Sequence, residues 1–215
     1  MDIIHSYQFK HILEKTIKGY HLINSVPIKE AVWENILSQT LKKCNCENVW
    51  NNGSHKSGRD FMIDNNGISC KSTKINSNSF SVSSYRMTLC NSGEEFTNEI
   101  DIVRNNFSHY LILGREESNN TLNYYLYVIP TEEVKAKNKI WETHYKLKTS
   151  NIQKWTTDSN NGYSMKVVSS MSNQLWINFD RTKFSKYCVI SDVVVETETT
   201  IDYASLFDKL SITSS

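Results

Sequence analysis

Proline and glycine are scarce in this chain, two and seven among 215 residues. That scarcity excludes a collagen-like, linker-rich or low-complexity polypeptide. No stretch approaches the roughly eighteen consecutive apolar residues of a membrane-crossing helix, and no basic start leads into a short hydrophobic segment of the signal-peptide kind. A soluble cytoplasmic protein is therefore expected, with no membrane partner. Charge of one sign is lacking too, since 24 Lys and Arg stand against 23 Asp and Glu for a formal net charge of +1. This excludes a protein held to nucleic acid by bulk electrostatics alone, although cations gathered on one face remain compatible with specific binding. The cysteines number five, an odd count without a Cys-x-x-Cys pair, so free thiols are expected rather than a disulfide framework. Cys44-Asn45-Cys46 with His55 supplies only part of a zinc ligand set, and the plainer reading is core and helix-end thiols.

What is present is a hydrophobic fraction of 39% that includes eleven Tyr, eight Phe and five Trp. Residues 1–215 suit one domain with a sizeable core. Apolar residues at Ile3, Ile4, Tyr7, Phe9, Ile12, Leu13, Ile17 and Tyr20 have nearly helical spacing. The run Asn24-Ser25-Val26-Pro27 ends that helix and begins the next. Ile28, Val32, Trp33, Ile36, Leu37 and Leu41 make the clearest stripe, predicting a helix over 28–43 with Lys42 and Lys43 at the negative end of its dipole. A second helix is predicted over 94–107, capped by Asn91 or Ser92 and striped by Phe96, Ile100, Val103 and Phe107. Residues 109–114 and 122–130 read as paired strands. Beyond residue 140 the pattern weakens, leaving strands at 174–179 and 187–190 and a terminal helix at 203–210.

The segment that carries chemistry lies between the two helices. Phe61, Ile63, Ile68 and Cys70 are the apolar members of two short runs, and Asp64-Asn65-Asn66-Gly67 supplies residues that tolerate left-handed backbone. A β-hairpin would set Asp60 and Lys71 on adjacent strands. Period-two alternation would turn Ser69 and Lys71 to one face and Cys70 to the other, into a core. A carboxylate beside a lysine suits a divalent cation held by hard oxygen ligands, with the ammonium orienting or polarising an attacking water.

Gly58-Arg59-Asp60 followed by Ser69-Cys70-Lys71 resembles the PD-(D/E)XK nuclease superfamily, and within it a type II restriction endonuclease. The resemblance covers about residues 29–130, through the element order helix, hairpin, helix, strand, strand. It implies an α/β fold with a central mixed β-sheet flanked by helices, a core over about 28–135, and C-terminal strands over 140–215 added for DNA recognition or dimerisation. It further implies Mg2+-dependent, sequence-specific hydrolysis of double-stranded DNA by a homodimer. Asp60 matches the first acid and Lys71 the lysine, but Ser69 stands where the family has Asp or Glu. A carboxylate from a neighbouring helix would then complete the site: Glu34 first, Glu99 second, with Glu94 and Glu95 also in range. His55 is a candidate for the scissile phosphate. Lys56, Arg59, Lys74, Arg86, Lys166 and Lys183 are candidates for DNA contacts, and Arg86 with Gln174 for base readout, since Arg suits guanine and Gln adenine. The other readings are a structure-specific repair or mobile-element nuclease, and a non-catalytic DNA-binding protein whose site has degenerated.

Overall fold

The structure is a computed structural model that describes residues 1–46, 48–50, 58–136, 141–146, 151–158 and 161–197. The N-terminal stripe folds as two helices, α1 (Asp2–His5) and α2 (Tyr7–His21), where one is expected from the sequence. The break falls at Ser6, whose extended backbone (φ −67°, ψ 149°) lets its hydroxyl accept from the Phe9 amide. A serine there satisfies an otherwise orphaned helix donor. Helix α3 (Glu30–Lys43) follows Pro27, and α4 (Gly93–Arg104) starts at Ser92, which accepts from the Glu95 amide.

The strands are β1 (Asn48–Trp50), β2 (Phe61–Ile63), β3 (Asn66–Asn76), β4 (Ser79–Arg86), β5 (His109–Ser118), β6 (Thr121–Pro130), β7 (Glu142–Lys146), β8 (Asn151–Asp158), β9 (Tyr163–Val168), β10 (Gln174–Asp180) and β11 (Cys188–Glu196). They form one mixed sheet in the order β11-β6-β5-β3-β4-β10-β9-β8-β7, with β1 and β2 attached beside β3. Among these pairings only β3 and β5 run parallel. The expected α/β class with a central mixed sheet is what the chain adopts.

Alternation sorts each strand onto two cores. Ile68, Cys70, Leu111, Leu113, Tyr124 and Leu126 face α1, α2 and α3, where Phe9, Leu13, Trp33 and Leu37 are fully buried. Tyr110, Ile112, Tyr127 and Ile129 face the other side, against Phe96 and Ile100 of α4, Val82 of β4, Met165 of β9, and Leu175 and Ile177 of β10. Burial of this kind contributes about 25 cal/mol per Å² of apolar surface, so the two helical layers hold the sheet from both sides.

Three expectations change. The hairpin turn contains two residues, not four: Ile63 pairs with Asn66, and Asp64 and Asn65 both have left-handed backbone (φ 48° and 62°). Gly67 is thus a strand residue, needed because a Cβ there would lie 2.3 Å from the Asn106 carbonyl oxygen. Beyond residue 140 the weak pattern conceals β7, β8 and β9, and residues 131–133, where Thr131-Glu132-Glu133-Val134 would open a short helix by sequence, form only a single 3₁₀ turn. The helix expected over 203–210 lies outside the described residues.

His21 ties α2 to the sheet. Its Nδ1 is 2.8 Å from the Asn24 carbonyl and its Nε2 is 2.9 Å from the Tyr124 hydroxyl. That hydroxyl in turn accepts from the Ile28 amide at 3.0 Å, so it donates to Nε2 and the imidazole is the neutral Nδ1–H form. Burial pushes its pKa below the ordinary 6.5, only partly opposed by the bond to Asn24. The unfolded chain therefore takes up this proton more readily than the folded one. Stability tied to His21 is present above about pH 6.5 and lost as pH falls below it. Thermal melts should show a fall in Tm between pH 7 and 5 that is smaller in His21→Gln, and an unchanged pH slope in the variant would refute this role.

Candidate active-site cleft

Strand β3 carries the site because its edge changes partner midway. At its start, Phe61 to Ile63 of β2 pair with residues 66–68, and at its end Ile75 and Asn76 pair with β4. Between these ladders the neighbours diverge. Asp60, just before β2, makes the last backbone bond, its amide to the Ile68 carbonyl at 2.8 Å. Its carboxylate then continues the edge: Oδ2 accepts from the Cys70 amide at 2.6 Å and from the Ser69 hydroxyl at 3.4 Å. A buried strand amide that would otherwise be orphaned is satisfied by a charged acceptor.

Lys71 points into the gap on the same face as Ser69, while Cys70 is fully buried behind the sheet. Its ammonium lies 2.8 Å from Glu30 Oε1 and 3.7 Å from Asp60 Oδ2. Burial alone would lower its pKa, but the charges of Asp60 and Glu30 outweigh burial and hold it above the ordinary lysine value. Lys71 is therefore a fixed cation at neutral pH. It can orient a water or balance a phosphate, but it is not a proton acceptor.

Glu30 reaches Lys71 because the start of α3 is clamped to the sheet. The Ile28 amide donates to the Tyr124 hydroxyl, and the Ile28 carbonyl accepts from the Ser72 hydroxyl at 2.8 Å. Trp33 adds a bond from its indole to the Leu111 carbonyl at 3.4 Å. These bonds fix residue 28 over β3, and the first turn of the helix then overhangs Lys71.

Around this cluster is a cleft of about 480 Å³, lined by Glu30, Glu34, Asp60, Ser69, Lys71, Ser83, Ser84, Tyr85, Arg86, Glu99, Val103 and Gln174. The opposite wall owes its shape to a bulge in β4. Gln174 pairs with Arg86 and Trp176 with Ser83, so Ser84 and Tyr85 together oppose Leu175. A bulge re-aims the side chains that follow it. Exposed Arg86 thereby meets the buried Gln174, Nε to Oε1 at 3.4 Å, while Gln174 Nε2 bonds the Ser84 carbonyl at 3.1 Å. Tyr85 packs on the α4 side, its hydroxyl buried and without a hydrogen-bond partner among the described residues. Burial, and then the neighbouring Tyr110, push its pKa up, so it stays a hydrogen-bond donor.

The site residues expected from sequence thus divide. Asp60, Ser69, Lys71, Glu34, Glu99, Arg86 and Gln174 line one cleft. Glu30 joins them without having been singled out, although it stands four residues before Glu34 on the same helical face. Glu94 and Glu95 do not line the cleft, since both lie in the first turn of α4, where a Glu95 carboxylate oxygen accepts from the Asn91 amide. Lys74 pairs with Glu117 at 2.6 Å on the sheet face away from Lys71. Arg59 packs over Gly67 instead. Lys183 lies over Gly162, and Lys166 sits 5.8 Å from the Trp176 ring centre, neither lining the cleft. His55 and Lys56 lie outside the described residues, and so does the histidine of the partial zinc set.

No three His, Cys, Asp or Glu side chains among the described residues converge on one metal-sized position. Asp60 and Glu30 are nevertheless hard oxygen donors on either side of the Lys71 ammonium. That donor set fits a small divalent cation beside a positively charged lysine. Comparison with protein-family models finds no match, and searches of curated proteins and of solved structures find none either.

Because its carboxylate bonds a strand amide, Asp60 has a structural share as well as a chemical one. Asp60→Ala should lose about 1–3 kcal/mol in urea unfolding, and Asp60→Asn, which keeps an acceptor oxygen, should lose less. Equal stability of all three proteins would contradict the bond to Cys70.

Proposed function

We propose that the protein is a magnesium-dependent, sequence-specific endonuclease of double-stranded DNA, of the PD-(D/E)XK kind that Asp60 and Lys71 resemble. The observation that carries this reading is the meeting of Asp60, Lys71 and helix carboxylates in one cleft, at the point where the sheet edge opens. Asp60 and Glu30 would hold the cation, and Glu30 is the carboxylate that compensates for Ser69. A bound magnesium supplies Lewis-acid polarisation of the phosphoryl oxygen and a lowered pKa for water.

The chain's own groups account for the remaining steps. Lys71, fixed as a cation, orients the attacking water and offsets charge that develops on the phosphate. Glu99, facing the same cleft, would take up the water's proton, with Glu34 as the second carboxylate on that cleft. Water attacks phosphorus in line, the phosphorus–oxygen ester bond opposite breaks, and the leaving oxygen takes up a proton from solvent water. Ser69 donates to Asp60 and keeps its carboxylate turned to the cleft.

Sequence specificity is favoured over recognition of DNA structure by the exposed Arg86, a side chain suited to a base edge and oriented by buried Gln174 and the β4 bulge. A palindromic target implies a homodimer, since a two-fold site is matched by a two-fold protein. No helix among the described residues is long and apolar enough to cross a membrane.

A plasmid digest tests the assignment. With magnesium the wild-type protein should give discrete fragments, and Asp60→Asn, Glu30→Gln and Lys71→Met should each slow cleavage on the order of 100-fold or more. Undiminished cutting by folded Asp60→Asn would contradict the mechanism. Cutting only at ends or branches would support the structure-specific reading, and binding without cutting would point to a degenerate site.

A further inference from the structure

Leu89 is 90% exposed at the tip of a rigid turn beside the cleft. The turn closes through the Cys90 amide and the Met87 carbonyl at 3.0 Å, and the Met87 and Cys90 side chains anchor both ends in the core at 2% and 9% exposure. A second loop braces it. Asn173 Nδ2 donates to the Cys90 carbonyl at 2.7 Å and to the Met87 carbonyl at 3.3 Å, while the Met87 amide returns a bond to the Asn173 carbonyl at 3.1 Å.

To make those bonds, Ser172 and Asn173 both take left-handed backbone, φ 58° and 53°. As at Asp64–Asn65, two consecutive left-handed residues make a tight turn, and here the three bonds to Met87 and Cys90 hold it in place. The braced loops adjoin the recognition side of the cleft directly: Arg86 immediately precedes Met87, and Gln174 immediately follows Asn173. The tip thus stands in fixed relation to Arg86, the side chain suited to a base edge.

Its neighbours decide what it fits. Thr88, Asn91 and Ser92 are exposed and polar, so Leu89 is the one apolar point of its own turn, with the half-exposed Met171 on the bracing loop. A projecting leucine beside an exposed arginine suits the stacked bases of a duplex, into which apolar side chains insert and part a base step. We propose that Leu89 is an apolar wedge that enters the DNA between base pairs next to the cut position, with the Ser172–Asn173 brace fixing its depth. This inference rests on the nuclease reading and adds to it a deformation of the substrate.

The test uses duplexes carrying 2-aminopurine, scanned one position at a time through the site mapped by the plasmid digest, with calcium in place of magnesium. Wild-type protein should brighten the probe several-fold at one base step. Leu89→Ala, an exposed substitution that leaves the core untouched, should abolish that rise and weaken binding about tenfold, the order of effect of one apolar side chain withdrawn from a stack. Leu89→Met should retain both. Tight binding with no bright position, or brightening by Leu89→Ala equal to wild type, would overturn the wedge while leaving the cleft assignment standing. A wild-type protein that neither binds nor cuts DNA would overturn both, and the digest alone distinguishes that case.

Discussion

A buried ammonium must be compensated, and in this fold the need of Lys71 for anions organises everything near it. Taking a charge out of water costs several kcal/mol unless opposite charges replace the lost hydration. Asp60 and Glu30 provide that replacement from two different parts of the chain, a strand end and a helix start. For Glu30 to arrive, the Tyr124 and Ser72 hydroxyls must hold Ile28 against the sheet, and His21 must hold Tyr124. For Asp60 to arrive, β2 must begin only at Phe61 and leave the Cys70 amide to a side chain. The core on the α2 and α3 face, the opening of the sheet edge and the charge cluster are therefore one mutually dependent arrangement.

That dependence also gives the cluster its chemical character. Each carboxylate bonded to Lys71 or to a strand amide is an oxygen already turned toward the cleft and deprived of part of its water. In the proposed mechanism a doubly charged cation would meet preformed donors there, and the ammonium beside it is kept positive and so is unavailable as a base. The second wall of the cleft is built by separate means, a bulge in β4 and the loops on either side of Gln174. In the proposed function, chemistry and recognition would sit on opposite walls that share strand β3 and its divergence from β4.

Much of this was legible in the sequence because it was local. The period-two pattern around Phe61, Ile63, Ile68 and Cys70 and the Asp64-Asn65 turn chemistry foretold the hairpin, and the stripes at 28–43 and 94–107 foretold the helices that flank it. Arg86 and Gln174 were each singled out for their side-chain chemistry, but that they meet comes from the register of β4 on β10, which the sequence does not report. Glu30 was hidden because its selection over Glu34 depends on where the helix start is clamped, which Tyr124 and Ser72 decide from distant strands. Strands β7 to β9 were hidden because the sequence there mixes Lys, Thr, Asn and Ser among irregularly spaced aromatics, and their order comes from pairing to β10 more than from any pattern of their own. The Ser6 break and the bulge at Ser84–Tyr85 each rest on a local backbone bond or register step that hydrophobic spacing does not report.

The central claim is that Asp60 and Glu30 form a cation site against a fixed lysine. Isothermal titration calorimetry with magnesium, on wild-type protein and on Glu30→Gln and Asp60→Asn, tests it most directly. The account predicts one saturable site in the wild type that both substitutions abolish or weaken at least tenfold. Binding heat that survives both substitutions unchanged, or a folded wild-type protein with no affinity for the ion, would contradict it.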